Sequence, residues 1–425
     1  MAVGWIPPVR GGRSRRRRVV VATLMLGLTV AGCGGGGSGG PPTLHWYIGK
    51  QGSSAYTDDA AACTKAANGA YRIQVVDLPA DADAQREQLV RRLAAKDSAI
   101  DIIGMDVIWT AEFAKAGWVK EWTGDRATSI EAGAVPTALG TAKFEDKLWA
   151  SPQNTNAQVL FWRKDLIPDP PRTWDEMIDA AVRLGPKGRI EAQGARYEGL
   201  TVWFNSLVAS AGGAILTPDG KVSLGPPAAE ALRVMKRLAS SPAADPSLSN
   251  DKEDQSTAAF VAGNAAFMVN YSAVLPSLSK QAPDLVTKVG IAPWPSVLPD
   301  QPAHVTLGGY NLGVAKFTHH SDQAFAAASC LTSAESQLHN AATGGLPPTI
   351  ESLYNDPAVA GELGPADVLH NTLLAASQRP ATPAYNDVSL AVQKTIHPEK
   401  SINPKSTESD LRSKLGKVLK SGGLI

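Results

Sequence analysis

Short apolar runs alternate along this chain with longer segments in which apolar residues recur every three or four positions, the rhythm of an α/β protein. Thr43 to Ile48 reads as a strand and Tyr71 to Asp77 as a second, with a helix predicted between them over Asp58 to Ala67. Ala84 to Ala95 carries Leu89, Leu93 and Ala94 at helical spacing, which assigns Arg86, Arg91 and Arg92 to solvent. Ile100 to Gly104 is an apolar strand with Met105-Asp106 at its carboxyl end, and a helix is predicted from near Thr110. Ligands of doubly wound sheets bind beyond the carboxyl ends of strands, so Asp106 is a candidate site residue. Capping the next helix is its equally weighted alternative.

The pattern continues with a strand at Ala157 to Trp162 and a helix opened by Thr173 and Glu176, which are spaced as a capping box. A helix over Trp203 to Ala211 is expected to stop on Gly212-Gly213. Phe260 to Met268 reads as a helix end, a glycine turn and a return strand. Val305 to Ala315 reads as an alternating strand with Gly308-Gly309 inside it, Asp322 to Leu331 as a helix, and Gly344 to Pro347 as a turn. No internal repeat is visible.

The N-terminus changes the picture. Arg10, Arg13 and Arg15 to Arg18 precede an apolar stretch, Val19 to Val30, too short to span a bilayer as a permanent helix. Val30-Ala31-Gly32-Cys33 then has the form of a lipoprotein processing site, making Cys33 the lipid-modified first residue of the mature chain. On this reading residues 1–32 are a signal peptide and 33–42 a glycine-rich tether, and the body sits on the outer face of the cytoplasmic membrane. An ordinary cleaved signal is the alternative. Ser14 ahead of the arginines also leaves twin-arginine export open.

Roughly 390 residues then remain, enough for two domains. The net charge of +1 leaves no basic stripe for nucleic acid once the leader is removed. Nine of the ten Trp lie beyond the leader; most are expected in cores and a few as flat platforms for a ring-shaped ligand. With Cys33 taken, Cys63 and Cys330 form a lone pair in an oxidising compartment, and a disulfide is favoured over a metal site. The seven His are scattered and no CxxC exists, so neither a metal nor a cofactor is expected.

The stretches PPRTWDEM (Pro170 to Met177), FxxGxAAFM (Phe260 to Met268) and GGLP (Gly344 to Pro347) resemble the extracellular solute-binding proteins of ABC sugar importers, the relatives of maltose-binding protein. Within that family the segments Met105 to Trp118, Val202 to Gly213, Val305 to Lys316 and Arg379 to Tyr385 are similar to mycobacterial trehalose-binding lipoproteins, as are the places of the cysteine pair. The resemblance implies a two-lobed α/β periplasmic-binding-protein fold of class II with a ligand cleft between the lobes. It implies crossings near residues 152–158, 303–310 and 376–382, an N-lobe of 43–153 and 310–376, and a C-lobe of 158–303 and 382–425. The disulfide would then staple the N-lobe and leave the hinge free.

The same resemblance implies a sugar site of Gln85, Asp106, Asn156, Glu253, Tyr271, Gly309 and Arg379, with Gln51 the polar group nearest an acidic position that aligns with Gly52. Tyr271 stands where the relatives carry Trp. Gly309 would let a ligand approach the backbone closely. Read without the family, Glu253 belongs to a charged run (Asp251 to Asp254) that is ordinarily a solvated face, and Arg379 could simply brace Pro380 and Pro383. The implied function is capture of a disaccharide, trehalose foremost, by a monomer that delivers it to two permease subunits served by an ATPase pair. The rival class is an exported glycosidase or esterase. Its one formal motif, Gly36 to Gly40, lies in the tether without the strand and helix a nucleophile elbow needs.

Overall fold

The computed structural model describes residues 40–50, 53–362 and 365–421. Cys33, the leader and Gln51 lie outside the described residues. Eleven strands are present among the described residues: β1 Thr43–Gly49, β2 Arg72–Leu78, β3 Ile102–Asp106, β4 Lys143–Phe144, β5 Lys147–Leu148, β6 Ser151–Asn156, β7 Gln158–Arg163, β8 Ile190–Glu191, β9 Phe267–Tyr271, β10 Val289–Ala292 and β11 Gly308–Val314. They form one sheet in the order β2-β1-β3-β11-β6, a second in the order β10-β7-β9-β8, and the small hairpin β4-β5.

The first sheet opens as a wound α/β unit. β1 lies between β2 and β3 and pairs in parallel with both, and the helix Ser53–Ala66 supplies the β1-to-β2 crossover that parallel pairing requires. β11 returns antiparallel between β3 and β6. All seven residues of β11 are buried, so the alternation expected over Val305 to Ala315 is not realised in burial. A strand covered on both faces has no solvent side to mark with polar residues. Its one amide, Asn311, is satisfied internally, donating to Thr141 Oγ1 at 3.0 Å.

Between the sheets the chain needs very little length. β6 ends at Asn156 and β7 begins at Gln158, so Ala157 alone joins a strand of one sheet to a strand of the other. A second crossing leads from β10 to β11. A third runs beside it, where Leu307 N–H donates to Ser377 O at 2.8 Å and Ser377 N–H to Val305 O at 2.7 Å. After that crossing the helices Tyr385–Ile396 and Pro404–Lys420 pack with Glu198–Ser210 and Pro226–Ser240.

Each sheet has its own apolar core. Trp46, Ile48, Ile102, Met105, Leu312 and Leu331 fill the first. Phe161, Trp174, Trp203, Phe204, Phe267 and Trp294 fill the second, where Trp174 contacts both Trp203 and Trp294 at ring-centroid distances of 5.7 and 5.1 Å. That second cluster also takes in Val135, Ala138, Tyr354 and Leu369, so apolar contact continues past the crossings. Cys63 and Cys330 are bonded, tying Ser53–Ala66 to Ser321–Leu331 beside the first sheet. No helix among the described residues is long and apolar enough to cross a membrane.

Three local readings need correction. Arg86 does not point freely to solvent: it forms a forked pair with the buried carboxylate of Glu112. Arg92 lies 4.5 Å over the Tyr47 ring and pairs with Asp97 at 2.7 Å, which leaves Arg91 as the exposed member of the trio. At the helix Trp174–Leu184, Thr173 Oγ1 accepts from Glu176 N–H as expected, but the Glu176 carboxylate reaches one residue further back, to Arg172 N–H at 2.8 Å. Gly212 ends its helix in the left-handed region (φ +82°), as the sequence suggests.

Candidate functional site

A polar cleft opens where the crossings meet the ends of the strands of both sheets. Its free space, mouth included, is ≈ 610 Å³, of which ≈ 70 Å³ has room for solvent. Gln85, Asp106, Asn156, Glu253, Tyr271, Gly309 and Arg379 all line it, together with Asp81, Tyr197, Glu198 and Tyr310. The first sheet contributes Asp106 as the last residue of β3 and Asn156 as the last of β6. The second contributes Tyr271 as the last of β9, and Glu253 and Glu198 as the first residues of their helices. Residues from both sides thus converge on one space because strand ends and helix starts face the same gap.

Arg379 organises the floor. Nη2 lies 2.8 Å from Asp106 Oδ1 and Nη1 2.8 Å from Glu198 Oε1, with the guanidinium itself buried. Glu198 also accepts from Ser389 Oγ at 2.6 Å and from the Tyr385 hydroxyl. Burial pushes the Glu198 carboxyl above its ordinary range, while Arg379 pulls it back. Burial works to lower the Arg379 guanidinium, but Asp106, Tyr385 and Glu198 outweigh it and hold it above its usual value. A charge so enclosed is tolerated because it is paired on two sides.

Asp106 performs both roles the sequence leaves open. Its Oδ1 caps the short turn Val107–Trp109 by accepting from Ile108 N–H at 3.2 Å, and the same residue faces the cleft. Glu253 is not on a solvated face: it lines the cleft, and burial pushes its carboxyl up. Gln85 is less free than expected, since Nε2 donates to Pro79 O at 2.9 Å and Oε1 accepts from the Tyr310 hydroxyl at 3.2 Å.

Gly309, which lines the cleft, has a structural reason to be glycine as well. At φ +126°, a Cβ there would lie 2.3 Å from Asn154 O, so glycine is required by the pairing of β11 with β6. Its neighbour Gly308 leaves the room that the Asn156 amide occupies, since a Cβ would meet Asn156 Oδ1 at 2.1 Å.

Two buried polar atoms in the lining make no hydrogen bond, Asn156 Oδ1 and Arg379 Nε, while the Tyr197 hydroxyl faces the Glu253 carboxylate. An acceptor and a donor left open in one cleft suit a neutral ligand rich in hydroxyl groups. The aromatic surface is supplied by Tyr197, Tyr271 and Tyr310; no Trp is part of this lining, and the described Trp beyond the leader are buried except the half-buried Trp149. The lining has no Ser, Cys or His, so among the described residues it offers no nucleophile with an adjacent imidazole base.

Two features escaped the sequence reading. Lys252 reaches across the mouth, with Nζ 3.1 Å from Asp81 Oδ2 and 5.1 Å above the Tyr197 ring. Asp83, next to that contact, lies beside Glu198 and accepts from Gln393 Nε2 at 3.5 Å; burial, Glu198 and Asp81 push it up to about 7. Nothing in the local sequence marks the pairing of Lys252 with Asp81 or of Asp83 with Gln393, which stand 171 and 310 positions apart.

Comparison with known proteins places these observations. Residues 49–338 match the family model described as bacterial extracellular solute-binding protein. A probable ABC transporter-binding protein of Deinococcus radiodurans is 30% identical over 350 residues, covering 76% of this chain and 81% of the relative. Among solved structures, maltose-bound MalE3 of T. maritima superposes with a TM-score of 0.82 at 26% identity, over 89% of this chain and 100% of that one. The GacH receptor of Streptomyces glaucescens, solved unliganded and with acarbose, gives 0.80 at 22% identity, over 89% and 99%. The fold is accordingly the two-lobed class II form seen in maltose-binding proteins, and the chain belongs to the bacterial extracellular solute-binding proteins.

Proposed function

We propose that this chain is the lipid-anchored substrate-binding protein of an ABC importer and that it captures a disaccharide, trehalose foremost, in the cleft. Cys33 carries the anchor, and the protein works as a monomer on the outer face of the cytoplasmic membrane. It hands its cargo to two permease subunits driven by an ATPase pair. The lobes run over 43–153 with 310–376 and over 158–303 with 382–425.

The observation that carries the reading is the pair of open polar atoms, Asn156 Oδ1 and Arg379 Nε, around the Arg379–Asp106–Glu198 group. Asp106 and Glu253 accept from sugar hydroxyls, the Asn156 amide donates and accepts while Arg379 donates at the hinge, and Tyr271 covers an apolar ring face. Gln85 fixes Tyr310, Gly309 fixes the strand beneath the ligand, and Gln51 belongs to the same proposed set of ligand contacts. Closure desolvates these contacts and presents the surface that the permease recognises. Support comes from the relatives, whose bound ligands include maltose and acarbose.

Calorimetric titration of residues 41–425 with trehalose, maltose, sucrose and glucose tests this. Tight binding of trehalose over maltose supports the full reading. Preference for another of these sugars keeps the importer role and replaces the cargo. A folded protein that binds none of them removes the disaccharide assignment.

A further inference from the structure

Away from the cleft, at the edge of the second sheet, three carboxylates meet. Glu191 closes β8, is fully buried, and neither of its carboxylate oxygens has a hydrogen-bond partner. Asp245 and Asp251, 8% and 4% exposed, flank the turn Leu248–Asn250. One oxygen from each of the three lies within 4.8 Å of the others. Oxygens that share a cation at about 2.3–2.6 Å stand no more than twice that distance apart, so the grouping has the dimensions of a common ion.

The two aspartates are held in place. Ser247 N–H donates to Asp245 Oδ1 at 2.8 Å, and the Ser247 hydroxyl lies 2.5 Å from Asp245 Oδ1 and 2.9 Å from Asp251 Oδ2. Among the described residues the cation paired with the group is Arg189, with Nη1 3.3 Å from Asp245 Oδ2. That leaves three carboxylates against a single guanidinium, and Glu191 meets the Asp245 carboxylate with no N–H or hydroxyl donor on either oxygen. A buried ionised carboxylate without a donor is costly and is relieved by a proton or by a metal ion.

We propose that Glu191, Asp245 and Asp251 form a structural site for a hard divalent cation of the calcium class. The donors are all carboxylate oxygens, which excludes a preference for soft or imidazole-seeking metals. Magnesium keeps several of its waters, for which this enclosed position has little room, whereas calcium accepts flexible carboxylate coordination. The ion would pin β8 to the 245–251 loop just before Lys252 and Glu253, stiffening the segment that faces the cleft. Ala195 N–H donating to Asp251 O at 3.1 Å already ties these two segments together.

The test uses the full chain, stripped with a chelator and exchanged into metal-free buffer. Titration with calcium chloride is expected to show one ion per chain and a rise in Tm of about 5 °C. Both are expected to vanish in Glu191→Gln and Asp251→Asn, with circular dichroism reporting that each variant folds. No calcium heat and no Tm shift in the parent overturns the site, and a Glu191→Gln variant melting above the parent at pH 8 would then identify a shared proton in its place. Calcium binding that survives unchanged in both folded variants also overturns it.

Discussion

Arg379 and Glu198 form a buried pair, Nη1 to Oε1 at 2.8 Å, with the two side chains 2% and 6% exposed. The guanidinium that faces the ligand cleft is thereby also a structural counter-ion. Arg379→Ala leaves Glu198 desolvated without its cation, so it is expected to cost about 3–5 kcal/mol of stability as well as ligand binding. Urea unfolding with parallel calorimetry checks this; full stability in the variant would show that the pair contributes nothing to folding.

Asp106→Asn separates the two effects. The amide oxygen can still accept from Ile108 N–H and from Arg379, and the partial exposure of Asp106 limits the penalty. Folding is expected to change by about 1 kcal/mol or less, while sugar affinity falls at least tenfold through loss of a charged acceptor. Equal affinity in parent and variant would remove Asp106 from the ligand contacts.

Asp83 predicts a pH dependence. Its carboxyl is pushed from 3.8 up to about 7 by burial, Glu198 and Asp81. Between these values the folded chain keeps a proton that the unfolded chain has released. The group's favourable contribution is therefore full below 3.8 and is lost as pH rises through about 7. Asp83→Asn is expected to flatten that part of the profile and to exceed the parent at pH 8 by on the order of 1–3 kcal/mol. Unfolding at pH 5 and pH 8 reads it directly, and parallel profiles would contradict the assignment.

Lys252 and Asp81 are only partly enclosed, at 38% and 28% exposure. Lys252→Ala is expected to leave the melting temperature within about 1–2 °C and to weaken sugar binding two- to five-fold, in line with an exposed pair. A stopped-flow dissociation rate identical to that of the parent would show that the contact does not hold the mouth closed.

The Cys63–Cys330 bond joins two helices beside the first sheet and contributes no atom to the cleft lining. Cys63→Ser is expected to lower stability by about 2–4 kcal/mol with affinity unchanged. Calorimetric melting and sugar titration of the same sample distinguish this from a bond that shapes the site.

Sequence patterning reached the order of the elements because burial and period agree in most of them. Trp46 and Ile48 in β1, Leu89 and Leu93 in the next helix, and the Gly212 stop lie where spacing puts them. It failed in β11, where enclosure on both faces removes the alternation that marks a half-buried strand. Candidate site residues such as Asp106 were visible through their place at a strand end. Pairings were not visible: Glu198 lies 181 positions from Arg379, and Lys252 lies 171 from Asp81. The charged run around Glu253 reads as solvated because its cover, Tyr197 and the opposite wall, comes from elsewhere in the chain. Glu191, Asp245 and Asp251 likewise carry no spacing motif.

Ala157, the single residue between β6 and β7, has a mechanical meaning. In the proposed closure of the lobes, points near the pivot travel least, and Asn156 would adjoin it, whereas Asp81 and Lys252 pair farther along the chain from this link. A ligand would thus meet the Asn156 amide in nearly the same position with the jaws open or shut, an early foothold that steers the molecule before the far contacts form. Lengthening the connection by even one residue would slacken this short lever and let the two halves swing without the amide to guide them.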